Sequence, residues 1–376
     1  MNICEVSKIC GGCTLQGIEY KKQLSLKQEK VSKLFNTFRV KKIIGMDNPY
    51  NYRNKVQVSL YKDEHNHIHC GNYVNSSHIV VDVDDCMISN VRANEIINSI
   101  KRLVIKHKIS IFNEELYKGC LRHILIRCTN ANEYMVVLVT GSVTINKKDE
   151  FIKDILFYNK DIKTIVQNIN NRHTSMVLGE KNIVLYGKGY VTDILCGLFF
   201  RISAKSFYQV NSRQTEILYK EAIKAADPNK DDVVIDAYCG TGTIGLCLAN
   251  KVNKVIGVEL NASAIRDALT NMKINDINNV EFICADAGKF MSNLAHTKTK
   301  VDTVIMDPPR TGSDMKFMNS LVKLKPKKLV YVSCNPLTLK DNLKYLTKYY
   351  NVEYIQPVDM FPFTDHVECV VSMQRK

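Results

Sequence analysis

The spacing of hydrophobic residues changes twice along the 376-residue chain. From Gln16 to about Phe38, apolar residues recur at helical intervals among Lys and Glu, which predicts an amphipathic helix. Short β-rich runs follow, several of them alternating, with one or two helical stretches between them. These runs cover residues 56–61, 78–83, 123–129, 133–141 and 164–170. The pattern predicts an α+β domain that extends to about residue 204.

From Ser206 onward, apolar strands alternate with helices. Strands that are apolar on both faces are typical of a mostly parallel sheet covered by helices on each side. In such sheets ligands bind beyond the carboxyl ends of the strands. We therefore expect two domains, residues 1–204 and residues 205–376, with residues from about 20 to 50 packing on the second one. The predicted strands cover residues 232–240, 254–261, 280–287, 301–310, 328–336, 353–362 and 368–374.

Composition narrows the class of protein. Hydrophobic residues make up 45% of the chain and charged residues 24%, as in a folded globular protein. No apolar run approaches the roughly 20 residues of a membrane span, and the first residues lack an export signal. We expect a cytoplasmic protein with no membrane partner and no obligate protein partner. The formal net charge of +14 favours a polyanionic partner, although a compositional bias toward Lys explains it equally well.

A glycine-rich turn marks a candidate cofactor site. An apolar strand ends at Asp236, Gly240 and Gly242 follow, and a helix begins. The next strand ends in Glu259, where a carboxylate could accept hydrogen bonds from ribose hydroxyls; this arrangement also occurs in dinucleotide sites. The third glycine of a pyrophosphate-binding turn is absent, and the fourth strand ends in DPPRTG, beginning at Asp307. Both features favour S-adenosylmethionine over NAD.

Cys334 follows the strand KLVYVS, beside the predicted cofactor crevice. A thiolate at this place could add to C6 of a uracil and turn its C5 into a carbon nucleophile. A role as a small buried residue is the alternative. A base must then remove the C5 proton, and Glu368 is the candidate. Asp365 and His366 are its competitors.

Four motifs together resemble the RNA uracil-5 methyltransferase family: DAYCGTGTIGL, DPPRTG, VSCNPLTL and DMFPFTDHVECV. The segment FRISAKSFYQVN matches this family as well. The resemblance implies a class I Rossmann-like methyltransferase sheet in residues 205–376, with Cys334 as nucleophile and Glu368 as proton acceptor. It also implies four residues that contact S-adenosylmethionine: Gln209, Tyr238, Glu259 and Asp307. Arg310 follows the two prolines, where amino-directed methyltransferases usually have an aromatic residue and cytosine-5 RNA enzymes often have a cysteine.

Three cysteines near the start, Cys4, Cys10 and Cys13, are followed by a distant fourth, Cys86. Such a set can hold Zn²⁺ or a cubane iron-sulfur cluster, and the three-plus-one spacing is closer to cluster ligation. A branch of the same family has this spacing with a 4Fe-4S cluster, which implies a structural cluster here. Cys120 and Cys128 are the rivals for the fourth place.

The resemblance implies an N-terminal α+β iron-sulfur and RNA-binding domain. Single-stranded RNA is bound by aromatic stacking and by cationic contacts, which residues 52–55, Arg122 and His123 could provide. Because only three residues precede Cys4, we expect the RNA-binding TRAM barrel of many relatives to be missing. The cluster favours 23S ribosomal RNA as the substrate. The alternatives are transfer RNA, a non-catalytic iron-sulfur RNA-binding protein, and a dehydrogenase on the same type of sheet.

Overall fold

The computed structural model describes residues 3–74, 77, 79–174, 176–297 and 299–376. The chain forms two compact units. The first unit comprises Met1–Ile18, Pro49–Ile194 and Arg201–Lys205, and the second comprises Glu19–Asn48, Leu195–Phe200 and Ser206–Lys376. An amino-terminal segment therefore belongs to the same unit as the carboxyl half of the chain.

The elements have these bounds in chain order: α1 (Tyr20–Leu34), β1 (Lys55–Lys62), β2 (Ile68–Tyr73), β3 (Val80–Asp82), α2 (Val91–Lys106), β4 (Leu121–Cys128), β5 (Tyr134–Thr140), α3 (Lys148–Tyr158), β6 (Ile162–Ile169), β7 (Lys181–Gly187), β8 (Tyr190–Leu195), β9 (Leu198–Ser203), α4 (Ser212–Ala226), β10 (Val233–Ala237), α5 (Thr243–Leu248), a 3₁₀ helix (Ala249–Lys251), β11 (Lys254–Glu259), α6 (Ala262–Ile274), β12 (Val280–Cys284), α7 (Ala287–Leu294), β13 (Thr303–Met306), α8 (Met315–Leu324), β14 (Lys328–Ser333), α9 (Pro336–Leu346), β15 (Tyr350–Val358) and β16 (Glu368–Arg375).

The first unit contains a seven-stranded sheet in the order β3-β2-β1-β4-β5-β6-β7. Neighbouring strands are antiparallel except for β5 and β6. The central strands β4 and β5 are buried along their whole length, and apolar residues of α2 and α3 join them in one core. The strand predicted at residues 78–83 begins on His78, which lies outside the described residues; β3 begins at Val80.

The second unit contains a seven-stranded sheet in the order β12-β11-β10-β13-β14-β16-β15. Strands β10 to β14 are parallel, whereas β16 is antiparallel to both of its neighbours. The strand order reverses between β10 and β13, and this is the point of a doubly wound sheet where ligands bind. The predicted α/β class with a mostly parallel sheet is confirmed.

The amino-terminal segment of the second unit adds to its core. Val31 of α1 and Phe35, directly after this helix, are buried among apolar side chains of the sheet and its helices. Beyond α1 the chain runs along the edge strand β15, with parallel bridges from Val40 to Ile355 and from Ile44 to Val358. None of the helices in the described part of the chain combines the length and the apolarity that a membrane span requires.

Candidate active site

The turn after β10 has a backbone that requires glycine at one point. Gly242 has φ +79°, and a Cβ added there would lie 2.4 Å from the ring of Phe282. The buried carboxyl of Asp236 accepts a hydrogen bond of 2.8 Å from the Gly245 amide, which joins the end of β10 to α5. Burial raises the pKa of Asp236 to about 7. Asp236 therefore supports the turn from inside the fold.

A cavity lies beside this turn. Three of the predicted cofactor residues line it, namely Gln209, Tyr238 and Asp307. The fourth, Glu259, contacts the turn itself: its carboxylate accepts hydrogen bonds from the Gly240 amide at 3.1 Å and the Asn261 amide at 2.7 Å. The structure thus gathers all four residues around one turn, with Glu259 bound to its backbone.

Two cavity residues have defined surroundings. The Tyr238 hydroxyl lies 3.0 Å from the Ser313 hydroxyl, and its ring contacts Phe317 at a centroid distance of 5.4 Å. Burial raises the pKa of Asp307 to about 7. Sequence reasoning missed Tyr219, whose buried hydroxyl lies 2.8 Å from the Thr243 hydroxyl at the start of α5. Tyr219 lies inside α4, where nothing in the local pattern distinguishes it from a core residue.

Strand register brings Cys334 and Glu368 to the same end of the sheet. Ser333 of β14 pairs with Cys369 of β16 in antiparallel register, so that Cys334 and Glu368 are the next residues on the two strands. Cys334 is partly exposed, whereas Glu368 is only 4% exposed. The cysteine thiol is therefore accessible, with a buried carboxyl on the neighbouring strand.

The electrostatics of this pair are dominated by burial and by negative charge. Burial raises the pKa of Glu368 to about 8, and the charge of Asp307 adds to the shift. Burial also raises the pKa of the Cys334 thiol to about 11, with further contributions from Glu368 and Asp307, while Arg310 acts in the opposite direction. A carboxyl with a pKa near 8 can both accept and release a proton close to neutral pH.

Other groups near this sheet edge are less suited to the chemistry. Cys239 and Cys369 are buried, and burial raises the pKa of both thiols. Asp365 is exposed and lies 3.5 Å from the Lys30 amine. His366 is partly exposed, and its Nδ1 lies 3.3 Å from the Arg310 guanidinium. Cys334 and Glu368 therefore remain the pair that combines access with a perturbed carboxyl.

The four predicted cluster cysteines line one cavity of the first unit: Cys4, Cys10, Cys13 and Cys86. The Gly12 amide and the Asn72 side-chain amide each donate a hydrogen bond of 3.4 Å to the sulfur of Cys10. Within the described residues, no set of three or more His, Cys, Asp or Glu side chains is arranged to hold a metal ion. The rivals Cys120 and Cys128 are both buried. Cys120 directly precedes β4, and Cys128 is the last residue of this strand.

Three of the residues that we expected to face RNA are buried: Tyr52, Arg122 and His123. Arg122 pairs with Glu114 at 2.7 Å, and His123 lies 3.1 Å from the Ser59 hydroxyl. Burial lowers the pKa of His123 to about 4. The expectation was wrong for these three. Arg122 and His123 lie on β4, which is in the middle of its sheet and buried along its whole length.

Comparison with known proteins identifies the family. Residues 19–376 match the family model described as tRNA (Uracil-5-)-methyltransferase. An uncharacterized RNA methyltransferase of Staphylococcus aureus (strain MSSA476) is 39% identical, over 99% of this chain and 84% of the relative. Another from Clostridium tetani (strain Massachusetts / E88) is 40% identical, over 98% of this chain and 82% of the relative.

A solved structure agrees with these relatives. The crystal structure of Pyrococcus abyssi tRNA (uracil-54, C5)-methyltransferase in complex with S-adenosyl-L-homocysteine is 29% identical, with a TM-score of 0.82. The match covers 98% of this chain and 86% of the other. The chain therefore belongs to the tRNA (uracil-5-)-methyltransferase family, and it is an RNA methyltransferase of the uracil-5 class.

Proposed function

We propose that this protein methylates C5 of a specific uridine in RNA, with S-adenosylmethionine as methyl donor and Cys334 as covalent nucleophile. The observation that carries the proposal is the accessible thiol of Cys334 next to the buried Glu368 at one sheet edge. The cofactor cavity shares Asp307 with this edge, because Asp307 lines the cavity and its charge acts on both Cys334 and Glu368.

The two residues divide the reaction between them. The Cys334 thiolate forms a bond to C6 of the uracil, and the electron pair of the 5,6 double bond moves into an enolate that makes C5 nucleophilic. S-Adenosylmethionine supplies the electrophilic methyl group. Glu368 then takes the proton from C5, the double bond re-forms, and the thiolate leaves C6. The ionised form of Glu368 is the one that accepts this proton.

Four residues would hold the methyl donor: Gln209, Tyr238, Glu259 and Asp307. Support comes from the cavity that three of them line and from the contact of Glu259 with the Gly240 amide. Polar side chains converge on this cavity, as is usual in cofactor sites. The expected partner in binding experiments is S-adenosylmethionine, and NAD is the negative control.

We propose that Cys4, Cys10, Cys13 and Cys86 hold a 4Fe-4S cluster in the first unit. In support of this, the four side chains line one cavity, and two N–H groups point at the sulfur of Cys10, as is common around cluster thiolates. The positive charge of Arg53 also acts on Cys13. Methyl transfer to an enolate moves no unpaired electron, so that the cluster would serve the structure of the first unit.

The RNA substrate has two candidates. We propose that the substrate is a uridine of 23S ribosomal RNA, and the four cysteines support this choice. The net charge of +14 suits any RNA and does not separate the candidates. The second candidate is transfer RNA, which the similarity to the Pyrococcus abyssi enzyme favours. Both substrates contain the same reacting base, so the mechanism does not depend on the choice.

Nucleoside mass spectrometry tests the proposal. The protein would be incubated with S-adenosylmethionine and with unmodified 23S ribosomal RNA or transfer RNA, and the digests analysed for 5-methyluridine. We expect product with the parent protein and with Cys284→Ala, at an exposed cysteine, and none with Cys334→Ala. Absence of 5-methyluridine from both RNAs, or full activity of Cys334→Ala, would contradict the proposal. The RNA that gains the methyl group identifies the substrate class.

A further inference from the structure

One face of α1 carries polar side chains into the interior of the second unit. Gln23, Lys27 and Val31 are four residues apart and are all buried, with Lys27 only 2% exposed. The Lys27 amine lies 2.6 Å from the carboxylate of Asp359, which is itself fully buried, and donates to the Phe361 carbonyl at 3.0 Å. A helix face needs only apolar residues for packing, so this buried ion pair requires another explanation.

Lys27 and Gln23 form hydrogen bonds with Asp359, Phe361 and Phe363. These partners lie in residues 359–367, which connect β15 to β16 and which we call the base loop. The Phe363 amide donates a hydrogen bond of 2.8 Å to the buried Gln23 side chain. Phe363 has φ +66°, a conformation that is strained for a bulky aromatic residue. Gln23 therefore binds the base loop at the point where its backbone needs support.

Side chains from two parts of the chain bind Asp359 and the residue after it. The Tyr20 hydroxyl donates a hydrogen bond of 2.9 Å to the second oxygen of the Asp359 carboxylate. From α4, the Gln214 side chain donates to the Asp359 carbonyl at 2.9 Å, and the Asn211 side chain donates to the Met360 carbonyl at 2.9 Å. The first residues of the base loop are thus held by side chains of two helices.

The base loop leads directly into Glu368, the first residue of β16. Val358 pairs with Glu368 in the register of β15 and β16, so that Asp359 is one residue beyond the partner of Glu368. A shift at Asp359 or Phe363 would move the start of β16 relative to Cys334. Buried ion pairs often stabilise a fold no better than apolar side chains do, but they do specify one arrangement.

We infer that Lys27 and Gln23 are positioning residues that hold the base loop so that Glu368 can take the proton from C5 of the substrate uracil. This inference rests on the proposed role of Glu368 as base. It predicts a defect in one step of the reaction, because addition of Cys334 and methyl transfer precede the proton removal. A displacement of a catalytic group by about 1 Å can slow its step by as much as ~100-fold.

Two measurements separate proton removal from methyl transfer. RNA labelled with tritium at C5 of uridine releases tritium only when the C5 proton leaves, whereas formation of S-adenosylhomocysteine reports methyl transfer. For Lys27→Met and Gln23→Met we expect methyl transfer in the first turnover to proceed near the parent rate. Tritium release should be slowed roughly 10-fold to 100-fold. A covalent enzyme–RNA adduct should therefore accumulate on denaturing gels. The matched control is Lys33→Met, since Lys33 lies on the same helix with a 75% exposed side chain.

Lys27→Met leaves the Asp359 charge buried and could prevent folding. The double variant Lys27→Met/Asp359→Asn removes both charges and keeps an acceptor for the Tyr20 hydroxyl. Either folded variant, checked by binding of S-adenosylmethionine, is suitable for the measurement. Equal slowing of methyl transfer and tritium release, or parent rates for both, would overturn the inference.

Glu368→Gln, measured in parallel, distinguishes the two possible failures. If Glu368→Gln accumulates the adduct and the α1 variants do not, the inference is wrong while the proposed function stands. If Glu368→Gln releases tritium at the parent rate, Glu368 is not the base, and the inference falls together with that part of the proposed function.

Discussion

Glu368 combines a nearly complete burial with a pKa raised to about 8 from an ordinary value of 4.5. Between these two pH values the folded protein binds one more proton at this carboxyl than the unfolded protein does. Its stabilising contribution is therefore fully present below pH 4.5 and is lost as the pH rises through about 8. A carboxyl buried in this way costs stability at a pH at which it is ionised.

We predict that Glu368→Gln makes the protein more stable near neutral pH, because the amide needs no proton to be buried without charge. The gain in unfolding free energy over the parent should grow from pH 5 to pH 8 and reach at most on the order of 3 kcal/mol near pH 7. Urea denaturation at several pH values measures it. Glu115→Gln, at an exposed carboxyl, controls for the amide itself. Equal pH dependence in Glu368→Gln and the parent would contradict the raised pKa.

Single residues were predictable where a strand end or a motif marks them. Cys334 and Asp307 directly follow strands, and Glu368 begins the last one, so that the sequence alone places them at the edges of the sheet. Gln23 and Lys27 were not predictable, because Gln and Lys on a helix usually face solvent. Their partners in the base loop lie more than 330 positions away in sequence.

At the scale of elements, the turn between β10 and α5 depends on the small size of Gly242. We predict that Gly242→Ala lowers the affinity for S-adenosylmethionine at least ~10-fold and destabilises the protein by about 2–4 kcal/mol. The new methyl group would meet the ring of Phe282. In addition, the alanine backbone would have to adopt φ +79°, which is unfavourable for a residue with a side chain. Isothermal titration and thermal unfolding measure the two effects.

Gly197 offers the matched control for this substitution. It has the same φ of +79°, but a Cβ added there would meet no atom within 4 Å. Gly197→Ala should therefore show only the conformational cost, about 1 kcal/mol, and near-parent cofactor affinity. If the two variants behaved alike, close packing of the turn against β12 would not be the reason for Gly242.

The order and type of elements in the carboxyl half were predictable because each buried strand is a continuous apolar run. In the amino-terminal half the pattern predicted strands at β1, β4, β5 and β6 but not their exposure. The residues of β4 are buried on both faces, which depends on the strands and helices packed around it and not on its own alternation. For this reason the exposure of Arg122 and His123 was predicted wrongly.

At the scale of the whole molecule, the two units have different chemistry. The first unit has the four cysteines around one cavity, and the second has the glycine-rich turn together with Cys334 and Glu368. The amino-terminal segment Glu19–Asn48 belongs to the second unit although the cysteines precede it in sequence. We expected residues from about 20 to 50 to pack on the second domain, but local pattern does not specify the bridges from Val40 and Ile44 to β15, because their partners are far away in sequence.

We predict that protein purified without oxygen is brown and contains about four irons per chain. Cys86→Ser should lose iron, whereas Cys120→Ala and Cys128→Ala should retain it, because only Cys86 lines the cavity with the three early cysteines. Iron analysis and absorption spectroscopy give the result. Stoichiometric zinc without iron, or full iron in Cys86→Ser, would contradict the cluster and its fourth ligand.

The central claim is that Cys334 opens the reaction and Glu368 closes it, and the most direct measurement is a denaturing gel of enzyme mixed with RNA and S-adenosylmethionine at early times. Glu368→Gln should form a slowly migrating covalent complex whose RNA already carries the methyl group, since loss of a general base slows its step by roughly 10²–10⁴-fold. Cys334→Ala should form no complex and no 5-methyluridine, although it binds S-adenosylmethionine. Methylation by Cys334→Ala near the parent rate, or a complex that persists without Cys334, would contradict the account.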